Sequence, residues 1–201
     1  MERALYARGL TLQGSFHEGG EILKSLKTPQ DPQIYLFIAS WHLDQWQYNK
    51  AIAPLRKCIK LHPDPYIRMV ARLNLCSSLV SVNNKIAAEK EILALLKKAK
   101  KQNLRLLTGN LLEVYAQHLI QNDSYSKAQG VLDEARDLLA SADNKSQFYV
   151  RKWETIMRVK QGSLPPEALQ SLRREALTLQ DFESVRDCDF HLGLTVKNTD
   201  L

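Results

Sequence analysis

Apolar residues recur along this chain at intervals of three and four, the spacing that gathers them on one face of an α-helix. Ile22, Leu23 and Leu26 form one stripe, and Ile52, Leu55 and Ile59 a second. Leu111, Leu112, Tyr115 and Leu119 form a third, and Val131, Leu132, Ala135, Leu138 and Leu139 a fourth. The two-residue alternation of a half-buried strand is missing. Breaks separate the stripes at Gln13-Gly14-Ser15, Thr28-Pro29-Gln30-Asp31-Pro32, His62-Pro63-Asp64-Pro65, Asn83-Asn84, Asn122-Asp123-Ser124, Ala142-Asp143-Asn144 and Gln161-Gly162-Ser163-Leu164-Pro165. Pro lacks the helical N–H, Gly and Asn accept left-handed backbone, and Asp and Ser cap helix ends, so each break reads as a helix stop. The pattern predicts an all-α chain of helices joined by short turns.

A longer period overlies the short one. Every second break is followed by a small residue that opens a new stripe: Gly19, Ala51, Ala88, Ala128 and Ala168, separated by 32, 37, 40 and 40 residues. That is the period of stacked helix-turn-helix units. A small residue on each helix of a pair lets the two axes approach while large side chains fill the grooves beside them, and Ala39 with Ala51 is the expected contact of one pair. The pairs are expected over 1–27, 32–63, 66–101, 104–140 and 145–180, with a last helix over 181–196, together one domain over 1–201.

The stretch from Pro32 to Pro65 resembles one whole tetratricopeptide repeat. Tyr35, Ile38, Ala39 and His42 stand at the first-helix positions of that motif. Gln45-Trp46-Gln47-Tyr48-Asn49-Lys50-Ala51-Ile52 matches its turn and second-helix start, and Leu55, Cys58, Ile59, Leu61 and Pro63 its remaining sites. The turn departs from the motif by carrying Trp46 where Gly is usual. Weaker copies run through Leu75, Leu79, Ala88 and Ile92, through Leu112, Tyr115, Ala116 and Ala128, and loosely through Trp153, Ile156 and Leu172, with a degenerate pair around Tyr6, Ala7, Gly19 and Leu23. The resemblance implies a right-handed α-α superhelix, a solenoid of about five helix-turn-helix repeats plus a C-terminal helix. It further implies a groove lined by first helices that holds a partner helix or peptide. The lining residues it nominates are Leu36, Phe37, Ser40, Leu43, Leu73, Asn74, Ser77, Glu113, Gln117, Trp153 and Met157. The carboxylate clamp that some members use for acidic chaperone tails is not matched. Asn74 fits its middle Asn, but Leu36, Ser40, Asn110 and Val114 stand where Lys, Asn, Lys and Arg belong.

Composition narrows the field. With 201 residues, 44% of them hydrophobic, the chain can bury a core, and its 8 Gly and 7 Pro are too few for a loop-rich fold. A formal net charge of +6 permits an anionic partner without requiring one. The densest basic runs are Lys97, Lys98, Lys100 and Lys101, flanked by Lys90 and Arg105, and Arg56, Lys57 and Lys60. Both lie at second-helix ends, where the helix dipole favours cations, and stacking would align them into one basic ridge. No aromatic residue interleaves Lys97 to Arg105, which counts against direct nucleic-acid binding.

Chemistry-bearing motifs are missing. The chain has no HExxH, no GxSxG, no phosphate-cradling Gly-rich loop and no Ca²⁺-loop pattern. His17, His42, His62, His118 and His191 are isolated, and the carboxylates around Asp133, Glu134 and Asp137 read as a solvated face with Arg136. Three widely spaced cysteines, Cys58, Cys76 and Cys188, argue for neither a disulfide framework nor zinc. No uncharged apolar run reaches membrane-spanning length, and the start Met1-Glu2-Arg3 lacks the form of a secretory signal. The expectation is a cytoplasmic, non-enzymatic protein-binding scaffold without a cofactor. The alternative is the sensory or oligomerising part of a transcription regulator whose DNA-binding domain lies elsewhere. Phe190, Leu192, Leu194 and Val196 are apolar for a chain end, which leaves open a cap, an excised domain or a self-association surface.

Overall fold

The computed structural model describes residues 1–26, 31–141 and 144–194. Among them are eleven α-helices and no strand: α1 (Glu2–Leu12), α2 (Phe16–Ser25), α3 (Gln33–Leu43), α4 (Tyr48–Leu61), α5 (Pro65–Ser81), α6 (Lys85–Lys101), α7 (Arg105–Gln121), α8 (Tyr125–Leu139), α9 (Asn144–Lys160), α10 (Glu167–Thr178) and α11 (Phe182–His191). Pro29, Ala142, Asp143 and Val196 lie outside the described residues. The last helix is shorter than the expected 181–196. It ends at His191 because Gly193 turns to φ 68° and the Leu194 N–H closes onto the Asp189 carbonyl.

One joint serves eight of the eleven described helix ends. A residue in left-handed conformation follows the helix at Gly14, Trp46, Asn83, Asn103, Asp123, Gly162, Gln180 and Gly193, with φ between 53° and 88°. The next residue then donates its N–H to a carbonyl five residues back, as Ser15 does to Leu10, Gln47 to His42, Ser124 to Leu119 and Asp181 to Ala176. This double-backed cap satisfies carbonyls that the helix end leaves open, and it turns the chain sharply into the next helix. Glycine adopts the conformation freely and Asn or Asp at small cost, so Trp46 and Gln180 are its strained occupants. Gln180 is exposed. Gln180→Gly is therefore expected to raise stability by about 0.5–1 kcal/mol, read as a higher urea midpoint at unchanged slope.

The helices pack as two compact units, Met1–Leu107 and Thr108–Leu201. In the first unit each helix packs on the next from α1 to α6. Ala7, Leu23 and Trp41 form a core with Phe16, Ile22, Phe37 and Ile38 around it. The Trp41 ring lies against Gly20, where a Cβ would collide with it, and its indole Nε1 donates to the Phe16 carbonyl at 2.8 Å. Gly19, Ala39, Ala51 and Ala88 are buried, as close helix packing requires. Arg72 and Glu91, 2.5 Å apart, tie α5 to α6.

In the second unit α9 packs against α8, α10 and α11, and α10 against α11. Its core includes Phe148, Leu172, Ala176, Val185 and Cys188. Gly109 on α7 faces Leu139 on α8, and a Cβ there would come 2.5 Å from the Leu139 Cγ. Ala128 is buried as expected, but Ala168 is only half-buried. Helix α10 starts at Glu167, which turns Leu169 into the core instead.

Candidate functional site

The residues nominated for a groove divide by burial. On α3 and α5, Ser40, Leu43, Leu73, Asn74 and Ser77 are partly exposed, as is Gln117 on α7. Leu36, Trp153 and Met157 are only 9%, 3% and 2% exposed and belong to the interior, and Phe37 packs on the Trp41 core. A side chain that has already given up its water to the fold has little left to offer a partner. For α9 the reason is its position: with α8, α10 and α11 all packed on it, more than one of its faces is covered.

The second unit gathers an ionic cluster around Lys152. This lysine is 2% exposed, and its Nζ donates to Asp187 Oδ2 on α11 at 2.6 Å. Its ammonium also lies 4.8 Å from the Tyr149 ring centre and 4.9 Å from that of Trp153. Burial alone would lower the lysine pKa, but the carboxylates of Asp187, Glu113 and Glu183 outweigh it and raise it, so Lys152 stays charged. Glu113, on α7, feels the opposite balance. Burial pushes its carboxyl up to about 7, against the pull of Lys152. The Trp153 Nε1 is buried and makes no full hydrogen bond among the described residues, yet it is close enough to favour the ionised Glu113.

Helix α11 supplies the other wall. Its first turn is fixed by buried Asp181, whose carboxylate accepts from the Ser184 hydroxyl at 2.8 Å and from the Ser184 N–H. That places Asp187 toward α9, while Glu183 one turn before it stays exposed. His191, at the far end of α11, meets the Trp153 ring edge-on at 6.2 Å, and burial lowers its pKa to about 4. In this cluster Lys152 stays protonated, His191 stays neutral and the Tyr149 hydroxyl is raised by burial. Glu113, raised to about 7, changes protonation near neutrality. Among the described residues no group of three or more His, Cys, Asp or Glu is placed to hold a metal ion.

The structure thus brings together two of the nominated residues, Glu113 and Trp153, and adds Lys152, Asp187 and His191. A sequence signal for Lys152 exists: Phe148, Lys152 and Ile156 recur at four-residue spacing on the core face of α9. A lysine at a core position calls for a buried carboxylate.

Arg56, Lys57 and Lys60 are exposed on α4, with Lys57 5.2 Å from the Tyr35 ring centre. Lys97, Lys100 and Lys101 are exposed on α6 and Lys98 is half-exposed. Helices α4 and α6 both pack on α5. The three cysteines are buried and unpaired, and burial raises all three thiols, Cys76 to about 12 and Cys188 to about 11, which keeps them out of the nucleophilic thiolate form. A cleft of about 650 Å³ in the second unit is spanned by its own ion pairs, Arg136 with Glu154 and Arg151 with Glu175, which leaves those charges committed. No described helix is long and apolar enough to cross a membrane. No family model, no curated protein and no solved structure matches this chain.

Proposed function

We propose that the chain is a tetratricopeptide-like scaffold: a right-handed superhelix of about five helix pairs that binds a protein or peptide along its first helices, without catalysis. The observation that supports this reading most is repetition. The same left-handed joint recurs at eight described helix ends, and Gly19, Ala51, Ala88 and Ala128 are buried near the start of four successive second helices. Repeated joints and repeated close contacts suit units that stack, and stacked units offer a long ladder of first helices to a partner. The partly exposed Ser40, Asn74, Ser77 and Gln117 lie on those helices and present hydrogen-bonding groups without charge.

Photo-crosslinking tests this. A benzophenone side chain placed at Ser77 or at Gln117 is expected to capture one and the same partner chain in cells, and Ser40→Arg with Ser77→Arg to abolish capture while the thermal midpoint stays unchanged. Equal capture from Asp137, exposed on a second helix, would overturn the groove reading.

A further inference from the structure

The outward face of α6 is built for contact rather than for the fold. Its core face is Ala88, Ile92, Leu95 and Ala99, all fully buried. Opposite them, at intervals of four, three and four, stand Ile86, Lys90, Leu93, Lys97 and then Lys101. Ile86 is 85% exposed and Leu93 47% exposed, and the three lysines between and beyond them are exposed as well. Isoleucine at that exposure gives nothing to folding.

The charges of α6 are explained only in part by stability. The helix carries six Lys against two Glu, so it accounts for most of the chain's net charge of +6. Elsewhere five arginines, Arg8, Arg72, Arg136, Arg151 and Arg173, each hold a carboxylate of another element. Lys85, Lys90, Lys97, Lys98 and Lys101 have no such partner among the described residues, and Glu91, one of the two acids on α6, is taken by Arg72. The helix dipole accounts for Lys97, Lys98, Lys100 and Lys101 in the last turns. It works against Lys85 in the first turn and does nothing for Lys90, and no acidic residue occupies that turn.

We infer that this face of α6 docks an acidic amphipathic helix of a partner protein. Ile86 and Leu93 lie seven residues apart, about 10 Å along the axis, the spacing at which another helix presents apolar residues two turns apart. Lys90, Lys97 and Lys101 flank them at one-turn steps and would meet carboxylates on the same partner helix. Only Glu89 adds a negative charge at the edge of the stripe. An interfacial membrane helix would need a broad apolar face, and two aliphatic side chains do not make one. A single-stranded nucleic acid would call for aromatic platforms, and the stripe has none. This surface lies on a second helix and is independent of the groove on the first helices.

The probe is a fluorescein-labelled synthetic helix of about 20 residues with Leu at every seventh position and Glu on both sides of each Leu, titrated by anisotropy against the whole chain. Saturable binding is expected. It should weaken at least about tenfold in Lys90→Glu with Lys97→Glu, and likewise in Ile86→Ser with Leu93→Ser, without a lower thermal midpoint. Arg56→Glu with Lys60→Glu, which changes the net charge equally, should leave the affinity unchanged, as should Ser40→Arg with Ser77→Arg. A flat titration, or equal loss in the α4 control, would overturn the assignment. So would loss in the groove variant, or tighter binding to phosphatidylserine vesicles or to oligouridine than to the peptide.

Discussion

Lys152→Met is expected to lower the stability of the chain by about 3–5 kcal/mol, by far the largest effect of any single charge removal in the second unit. The lysine is buried with Asp187 at 2.6 Å, and the charges of Glu113 and Glu183 also act on it. Removing its charge leaves Asp187 without its hydrogen-bonded cation in a largely buried site, and that uncompensated carboxylate sets the cost. The methionine itself fits, because it keeps the length and flexibility of the lysine stem. The control is therefore the double variant Lys152→Met with Asp187→Leu, which removes the pair together and should recover most of the loss, since a buried pair is worth little against an apolar replacement. Recovery should be incomplete while Glu113 and Glu183 remain. Urea unfolding followed by the fluorescence of adjacent Trp153 reads both. A single variant costing less than about 1 kcal/mol would mean that water reaches Lys152 and screens it.

Much of the helical architecture is legible in the sequence, because burial follows the three-and-four spacing of Leu55, Ile92 and Leu132, all fully buried. Joints built on Gly14 and Gly162 are legible too, since glycine is what left-handed backbone prefers. The same joint at Trp46 and Gln180 is not, because local preference opposes it and packing of the flanking helices overrides that preference. Site residues were harder to read. Assigning Leu36, Trp153 and Met157 to a groove supposes first helices with one buried face, whereas α9 is buried by α8, α10 and α11 at once. The ionic cluster is a meeting of residues far apart in the chain. Lys152 and Asp187 carry ordinary surface residue types, and only the core periodicity of α9 marks the lysine as buried.

The same cluster sets how stability depends on pH, and two of its members are expected to oppose each other. Burial raises Glu113 from the ordinary carboxylate value near 4.5 to about 7, so the folded chain holds this proton more tightly than the unfolded chain does. Its contribution is complete below the unfolded value and is lost as pH rises through about 7. His191 runs the other way. Burial lowers it from 6.5 to about 4, so its contribution is complete above 6.5 and is lost as pH falls toward 4, and His42, lowered by its own burial, adds the same sign. Across the interval from about 4.5 to 6.5 the two slopes offset, and the parent chain should show a shallow dependence there. Glu113→Gln fixes a neutral side chain and should raise stability at pH 7 by about 1–3 kcal/mol, a range already reduced for partial exposure, leaving a curve that climbs with pH. His191→Gln should lower the whole curve through lost ring contacts with Trp153 and Phe190, yet leave one that falls with pH. Urea midpoints from pH 4 to 8 for the three proteins give the slopes. Parallel curves would show that neither group titrates as its burial dictates, and that Glu113 is already ionised beside Lys152 at pH 5.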